Sequence, residues 1–339
     1  MLTNKEQKRP SVVILGAGGF LGAATIDAAV AAGIATIGVV RQPNAAQRIE
    51  SSGGIAVLGD AMHPESWIAE ASNAVAVIDL IQPRIPRRLG NRALGQIVSE
   101  RVSTTRAVVE ALKSLPAERR PLYVSVSGVA ELVADQRGFI SHESTLTSRP
   151  AGFAKIGLAA RDVVRDSGID AAFVHLGTVY GPGKSFTERI LPALEKGRYP
   201  IFGRGENHVA LVHVDDAARA LVHIAMSARA KARLGSWIVV DQSSLTLGGF
   251  LTETAAAVGG PRPRHAPRWL GRAILGSGLI AELSKDVPSD STRLTSSGFA
   301  FRFPKLRDGL AATLAALGRQ SHSPANNNTP RTLGAEGRV

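Results

Sequence analysis

The chain has 339 residues, 44% hydrophobic and 20% charged, the balance of a globular protein long enough for one large or two modest domains. It contains no cysteine, which excludes a disulfide framework, a thiolate metal site and a cysteine nucleophile, and no apolar run of about 18 residues that would span a membrane. Its formal charge of +12 is scattered, and the short basic groups 84–88 and 262–268 lack interleaved aromatic residues, so a small molecule rather than nucleic acid is the expected partner.

The polar stretch Met1–Pro10 does not have the pattern of a secretory signal, and a cytoplasmic location is expected. Val12–Leu15 is a short apolar, strand-like run that meets Gly16, Gly18, Gly19 and Gly22. An alanine-rich helix is predicted over Gly22–Ala32, ended by Gly33, and Ile34–Val40 is again strand-like. Strand, glycine turn, helix and strand make a βαβ unit. Further strands are predicted at Ile55–Leu58, Ala74–Leu80 and Leu122–Ser127, with helices between them. The longest helical pattern, Gly95–Ser114, places Ile97, Val98, Val102, Val108, Val109 and Leu112 at apolar positions. A helix at Gly152–Asp166 and a strand at Ala171–Leu176 follow.

Such alternation implies an α/β chain with a Rossmann-type, doubly wound parallel sheet. After Gly181 the elements shorten: helices at Phe186–Lys196 and Val214–Met226, and a strand at Trp237–Val240. Residues 11–180 are read as mainly the dinucleotide-binding region. Residues 181–318 are read as a smaller C-terminal substrate-side region interleaved with late sheet elements. Residues 320–339, rich in Ser, Asn, Pro and Gly, are read as a disordered tail.

The glycine turn carries chemistry. Residues without a Cβ let the backbone approach a pyrophosphate, and the helix that follows offers its free N–H groups and positive dipole end. Gly16, Gly19, Phe20, Leu21 and Gly22 are the candidate cofactor-binding residues here. The second strand ends in Arg41, where an acidic residue would favour NAD. A guanidinium can pair with a 2′-phosphate, so NADP is the expected cofactor with NAD as the alternative. Arg48 adds a second positive charge, and Arg41 as a merely solvated strand-end residue is the competing reading. Asp60 either accepts from the adenine amino group or caps a helix near Pro64.

Later stretches add more. Gly177-Thr-Val-Tyr180-Gly181-Pro182, Phe202-Gly203-Arg-Gly205, Val212-His213-Val214-Asp215-Asp216-Ala217-Ala218 and Ser291–Leu317 occur in order. With the glycine turn, they resemble the extended short-chain dehydrogenase/reductases, the NAD(P)-dependent epimerase/dehydratase-like family. The resemblance covers nearly all the chain before the tail. It implies a Ser or Thr, a Tyr and a Lys four residues after it: the Tyr as acid/base, the Lys holding the nicotinamide ribose, the Ser orienting the substrate oxygen. By that resemblance Ser127 and Lys155 stand in the serine and lysine places, and the tyrosine's place is taken by Ala151.

Other positions depart too. Arg101 stands where the family often has Asn, Ile81 and Gln82 where it has two small residues, and Val209 where nucleotide-sugar enzymes have Arg. An uncharged or lipid-like substrate is therefore expected before a nucleotide sugar. The implied activity is that of an NAD(P)-dependent oxidoreductase or epimerase/dehydratase-like enzyme acting on a small organic alcohol or carbonyl. The alternative is a nucleotide-binding protein without redox turnover. A homodimer across the helices 95–114 and 152–166 is a further implication.

His142, between Ser127 and Lys155, is a candidate acid/base group because an imidazole can exchange a proton near neutral pH, the alternative being an exposed loop histidine. His175 is expected buried and hydrogen-bonded, His213 to orient its loop against Asp216, and Tyr180 to pack. The eight histidines are scattered without metal-ligand spacing, and Ser127 lacks a glycine elbow and a placed His–Asp pair, so neither a metal site nor a hydrolase triad is expected. The basic, mildly amphipathic stretch Arg268–Lys285 is read as a lid helix over the substrate cleft, with a membrane-surface role as the alternative.

Overall fold

Strand β1 (Ser11–Leu15) is buried on both faces from Val12 to Leu15, which is why it reads as an unbroken apolar run rather than an alternating one. The computed structural model describes residues 10–86, 88–183, 186–227 and 235–321. After β1 come α1 (Phe20–Ala31), β2 (Ala35–Val40), α2 (Pro43–Ser51), β3 (Ile55–Leu58), α3 (Ile68–Ala71), β4 (Ala76–Asp79), α4 (Asn91–Lys113), β5 (Leu122–Gly128), α5 (Ala154–Ser167) and β6 (Ala171–Leu176). A short strand β7 (Thr178–Tyr180), a wide helical turn at Phe186–Ile190, α6 (Leu191–Glu195), β8 (Ile201–Phe202), β9 (His208–Val209), β10 (Leu211–His213), α7 (Val214–Met226) and β11 (Gly235–Val239) follow. The chain then forms β12 (Leu245–Thr246), α8 (Leu247–Ala257), β13 (His265–Ala266), α9 (Arg268–Leu275), α10 (Ser277–Leu283), α11 (Thr292–Ser296) and α12 (Leu306–Ala316).

Seven strands pair in one sheet in the order β11-β6-β5-β4-β1-β2-β3, and every pairing is parallel. This is the doubly wound Rossmann-type sheet. The strand order reverses between β1 and β4, and the crevice beyond their carboxyl ends is where such sheets take ligands. Side-chain alternation sorts the core into two layers. Val12, Ile14, Val124 and Val174 pack against Ile26 and Ala29 of α1 and Ala217 and Leu221 of α7. Val13, Leu15, Val77 and Tyr123 pack against Trp67, against Val108 and Leu112 of α4, and against Val164 of α5. A third apolar cluster joins Tyr180, Leu191 and Leu194 to Phe250 and Leu251 of α8 and Leu310 and Leu314 of α12.

Two helices start earlier than the sequence expectation, whereas α5 starts two residues later than Gly152. Helix α1 opens at Phe20, with Gly19 extended as its N-cap, so Gly22 lies inside the first turn instead of starting it. Helix α4 opens at Asn91, four residues ahead of Gly95. In both cases a glycine inside a helix reads from sequence as a boundary. The predicted helix Phe186–Lys196 is divided into the wide turn and α6, with Pro192 near the start of α6. The amphipathic stretch 268–285 is not one helix. Gly276, at φ 88°, separates α9 from α10. Residues 322–339, most of the expected tail, and Arg87 of the basic group 84–88 lie outside the described residues. Among the described residues no helix is long and apolar enough to cross a membrane.

Candidate active site

The β1–α1 turn sits at the switch point and is shaped by two close approaches. Gly16 has φ 78°, in the region that favours glycine, and a Cβ there would lie 3.0 Å from the carbonyl carbon of Leu80, just past β4. A Cβ on Gly22 would run into the carbonyl oxygen of Gly16. The first N–H groups of α1, on Phe20, Leu21 and Gly22, have no acceptor in the preceding turn, whose bonds are Gly19 N–H to Gly16 O and Ala23 N–H to Gly19 O. Free donors, a helix dipole and bare backbone converge where a diphosphate would lie. The turn fits the diphosphate of a nicotinamide dinucleotide.

Arg41 follows β2 and Asp60 follows β3, and the sheet brings the two together, with the guanidinium 3.8 Å from the Asp60 carboxylate. Arg41 is largely exposed, as a partner for a 2′-phosphate must be. Asp60 Oδ1 accepts the N–H of Met62 at 2.9 Å, so its capping is of the turn after β3 and not of the helical turn at Pro64–Ser66.

On the other side of the switch point, β4 ends in Asp79, which is fully buried. Arg101 of α4, also buried, lies 2.9 Å from its Oδ2 and 3.3 Å from its Oδ1, and the Tyr123 phenol of β5 donates to Oδ2 as well. Arg101 is therefore committed to a carboxylate beneath the sheet's end. Burial, with Asp79 beside it, pushes the Tyr123 phenol well above its usual value and keeps it a donor. Asp79 Oδ1 also accepts the N–H of Ile81 at 3.0 Å, which fixes the main chain at the Ile81-Gln82 pair.

Ser127, at the carboxyl end of β5, has neighbours that the sequence reading did not bring to it. Its hydroxyl donates to Glu131 Oε2 at 3.0 Å, and His175 Nδ1 of β6 lies 3.2 Å from Oγ. His175 is buried and hydrogen-bonded as expected, and Arg161 of α5 approaches its Nε2 at 3.4 Å while stacking 3.8 Å above the Phe173 ring. Burial drives His175 down to about 3, so it is neutral. Burial pushes Glu131 up to about 7, against the Ser127 hydroxyl, the Arg161 charge and the Gly128 amide.

A serine, a histidine and an acid thus meet, but not as a hydrolase triad. Both Ser127 and Glu131 face His175 Nδ1, at 3.2 and 3.5 Å, whereas a triad needs serine and acid on opposite ring nitrogens. The opposite nitrogen faces Arg161. The spacing Ser127 to Glu131, one short turn past a strand end, is the local signal for the pair, but nothing local points to His175 or Arg161.

Lys155, in the first turn of α5, is exposed, and its side chain makes no hydrogen bond or ion pair among the described residues. His142 is half-buried with its Nδ1 lacking a partner, and no hydrogen bond links it to Ser127 or Lys155. Its loop is laced instead to the segment before α11, through Ile140 N–H to Pro288 O and Asp290 N–H to Ile140 O. The group drawn to Ser127 is Glu131 and not His142.

Two further expectations are corrected or refined. His213 does not orient its loop against Asp216. Its Nδ1 accepts the N–H of Asp215 at 3.3 Å and its Nε2 faces Thr313 Oγ1. Asp216 is occupied by the N–H groups of Arg302 and Phe303 and by Arg219, because α7 packs against the segment leading to α12. The stretch 268–285 does reach over the site. Lys285 Nζ, just beyond α10, donates to the carbonyls of Ala151 and Ala130 at 3.0 and 3.3 Å and pairs with Glu282 at 3.2 Å. Glu282 also accepts the N–H of Phe153. A cavity of about 370 Å³ opens between α9 and α10, lined by Arg268, Arg272, Ser277, Ile280, Ala281 and Ser284.

Comparison with known proteins agrees with this geometry. Residues 12–238 match the family model of the NAD dependent epimerase/dehydratase family. A chloroplastic homolog of epimerase family protein SDR39U1 from Arabidopsis thaliana is 21% identical over 325 residues, covering 93% of this chain and 89% of that protein. The crystal structure of human epimerase family protein SDR39U1 with NADPH superposes with a TM-score of 0.73 at 22% identity, over 89% of this chain and 98% of that one. UDP-glucuronic acid 4-epimerase from Bacillus cereus, in complex with its nucleotide sugar and NAD, gives 0.69 at 16% identity, over 89% and 97%.

Proposed function

Because the chain belongs to the NAD dependent epimerase/dehydratase family, we propose that it is an NADP-dependent oxidoreductase or epimerase-like enzyme acting on a small organic alcohol or carbonyl. The observation that carries this reading is the placement of a bare, donor-rich turn after β1 and of the Ser127 hydroxyl at the end of β5, on the same edge of one parallel sheet. Gly16, Gly19, Phe20, Leu21 and Gly22 present the diphosphate cradle, Arg41 the 2′-phosphate partner, Asp60 an acceptor for the adenine amino group, and Lys155 a donor for the nicotinamide ribose. A bound nicotinamide supplies hydride transfer. Ser127 orients and polarises the substrate oxygen. That the human structure similar to this chain holds NADPH supports the choice of NADP. A cytoplasmic setting and a dimer across α4 and α5 belong to the same reading.

A second reading, a nucleotide-binding protein without redox turnover, is favoured by one observation: Ala151 stands in the tyrosine's place and Lys285 occupies its carbonyl. Calorimetry of the full chain with NADPH and NADH, followed by nicotinamide absorbance against a panel of aldehydes and ketones, separates the two. NADPH binding tighter than NADH, with turnover, is the expected result. If neither nucleotide binds at millimolar concentration, both readings are lost. Tight binding without turnover, and turnover only in Ala151→Tyr, favours the second.

A further inference from the structure

With Ala151 in the tyrosine's place, the proton that accompanies hydride transfer needs another holder. We propose that Glu131 is that holder, taking and returning the proton through the Ser127 hydroxyl, so that the Ser127–Glu131 pair serves the reaction assigned above; the inference rests on that assignment.

The groups around Ser127 can all be satisfied in one direction, with the Gly128 backbone as a further neighbour of the His175 ring. A guanidinium can only donate, so the Arg161 N–H 3.4 Å from His175 Nε2 makes that nitrogen the bare acceptor of a neutral imidazole. The single ring proton of His175 is therefore on Nδ1, 3.2 Å from Ser127 Oγ. With the serine oxygen accepting there, the serine's own proton points to Glu131 Oε2 at 3.0 Å. The chain Arg161, His175, Ser127, Glu131 runs in one direction and ends on a carboxylate.

The carboxyl has a built seat. A Cβ on Gly157 of α5 would coincide with Glu131 Oε1, so that helix leaves a gap the size of the carboxyl group. Glu131 is 2% exposed and Ser127 is half-buried, so of the two residues Ser127 is the one that solvent or a substrate can reach. The charged groups around Glu131 are Arg161 of α5 and Glu282 of α10, with the neutral His175 of β6 beside it and Lys285 on the neighbouring Ala130 carbonyl. Burial and the Glu282 charge raise Glu131 while Ser127, Arg161 and the Gly128 amide lower it, and the balance of about 7 suits a group that must hold and release a proton near neutrality.

In the oxidative direction, the O–H bond of the substrate alcohol breaks and its proton joins Ser127 Oγ as the serine's own proton passes to Glu131 Oε2. The hydride leaves the carbinol carbon with its electron pair for the oxidised nicotinamide dinucleotide, and the C=O bond forms. Reduction runs the same transfers backwards. Glu131 does not touch the substrate. It is a positioning and proton-holding residue that acts through Ser127.

The test uses the full-length chain as wild type, Glu131→Gln, Glu131→Asp and Ser127→Ala. Infrared difference spectra across pH read the protonated carboxyl directly. Asp241 is the other carboxyl that burial raises to about 7, so the spectra are taken in the Asp241→Asn background, where a band titrating near pH 7, absent on adding Glu131→Gln and moved upward on adding Ser127→Ala, is expected. Calorimetry of NADP⁺ binding at pH 7 in two buffers of different ionisation enthalpy reads the linked proton. Wild type should release a proton fraction that Glu131→Gln abolishes and Glu131→Asp retains, with affinity unchanged within about threefold. In the Asp241→Asn background, carboxyl bands confined to the ordinary range, or in the otherwise wild-type chain the same proton release in Glu131→Gln, overturn the proposal. Failure of NADP⁺ to bind at all overturns instead the reading under Proposed function, and this inference with it.

Discussion

The ammonium of Lys285 donates to the carbonyl oxygen of Ala151 at 3.0 Å, across 134 residues of sequence. With Ala130 O and Glu282 Oε2 it uses all three of its N–H donors. One side chain from the C-terminal region therefore clamps both ends of the segment that separates Ser127 from α5. It does so at the residue standing where a tyrosine is expected by resemblance. Lys285→Met should remove the clamp, leave Glu282 without its cation and cost about 1–3 kcal/mol of stability, read by thermal or urea denaturation. The double variant Lys285→Met/Glu282→Gln should recover part of that loss. A melting temperature unchanged in the single variant would show that the clamp contributes nothing.

The Asp79–Arg101 pair is sealed from solvent on both sides, with side chains 0% and 3% exposed. Removing one partner of such a pair leaves an uncompensated buried charge, so Arg101→Leu should cost about 3–5 kcal/mol. Arg101→Leu combined with Asp79→Asn should be markedly less damaging than Arg101→Leu alone. Urea unfolding of the three chains gives the coupling directly.

Arg41 lies largely in solvent beside Asp60, so its substitution should leave the fold intact. If it meets the 2′-phosphate, Arg41→Ala should weaken NADPH binding by about 10- to 100-fold, the loss of one charge-assisted contact worth about 1.5–3 kcal/mol. NADH affinity should be unchanged. Parallel calorimetric titrations measure both, and an equal loss for both nucleotides would remove Arg41 from the 2′-phosphate.

Gly157 faces the Glu131 carboxyl, and a methyl there would also lie 3.2 Å from the Ser127 Cβ. Gly157→Ala should displace Glu131 and cost about 1–3 kcal/mol through overpacking, although alanine is the better helix former. A variant as stable as wild type would mean that the carboxyl has room elsewhere. A crystal structure of the variant shows where Glu131 goes.

Asp241 is a second buried carboxyl. Burial raises it to about 7, with the Asp216 charge adding to this and the Ser243 amide and Lys305 opposing it. Its Oδ2 has no partner, and it lines a cavity of about 90 Å³ with Phe139 and His208. The folded protein holds this proton more tightly than the unfolded chain. The stabilisation is therefore complete below the ordinary carboxyl value of about 3.9 and is lost as pH rises through about 7. Asp241→Asn, which can keep the Oδ1 bond from the Ser243 amide at 2.9 Å, should raise the melting temperature at pH 8. That gain should vanish towards pH 4. A gain equal at both pH values would place the Asp241 proton outside this account.

The fold was legible because its signals are local. Apolar runs about as long as strands, helical periodicity between them and three glycines at intervals of three specify a βαβ unit, and a repeated alternation specifies a parallel sheet. The boundaries drifted where a glycine inside a helix resembled a stop, at Gly22 and Gly95. The candidate site residues came from the resemblance. Ser127 and Lys155 stood out by position, and Ala151 by its departure from the expected tyrosine.

The sequence alone determined the architecture, the diphosphate cradle and the family, because each depends on residues close together in the chain. Tertiary structure decided which side chains meet. Glu131 is a local neighbour of Ser127, but His175 lies in β6, Arg161 in α5 and Lys285 beyond α10, and only the sheet order and the packing of α5 and α10 bring these three around Ser127 and Ala151. It also decided their protonation, since a carboxyl or imidazole titrates according to the water and charge left around it after burial. Those surroundings come from segments far apart in sequence.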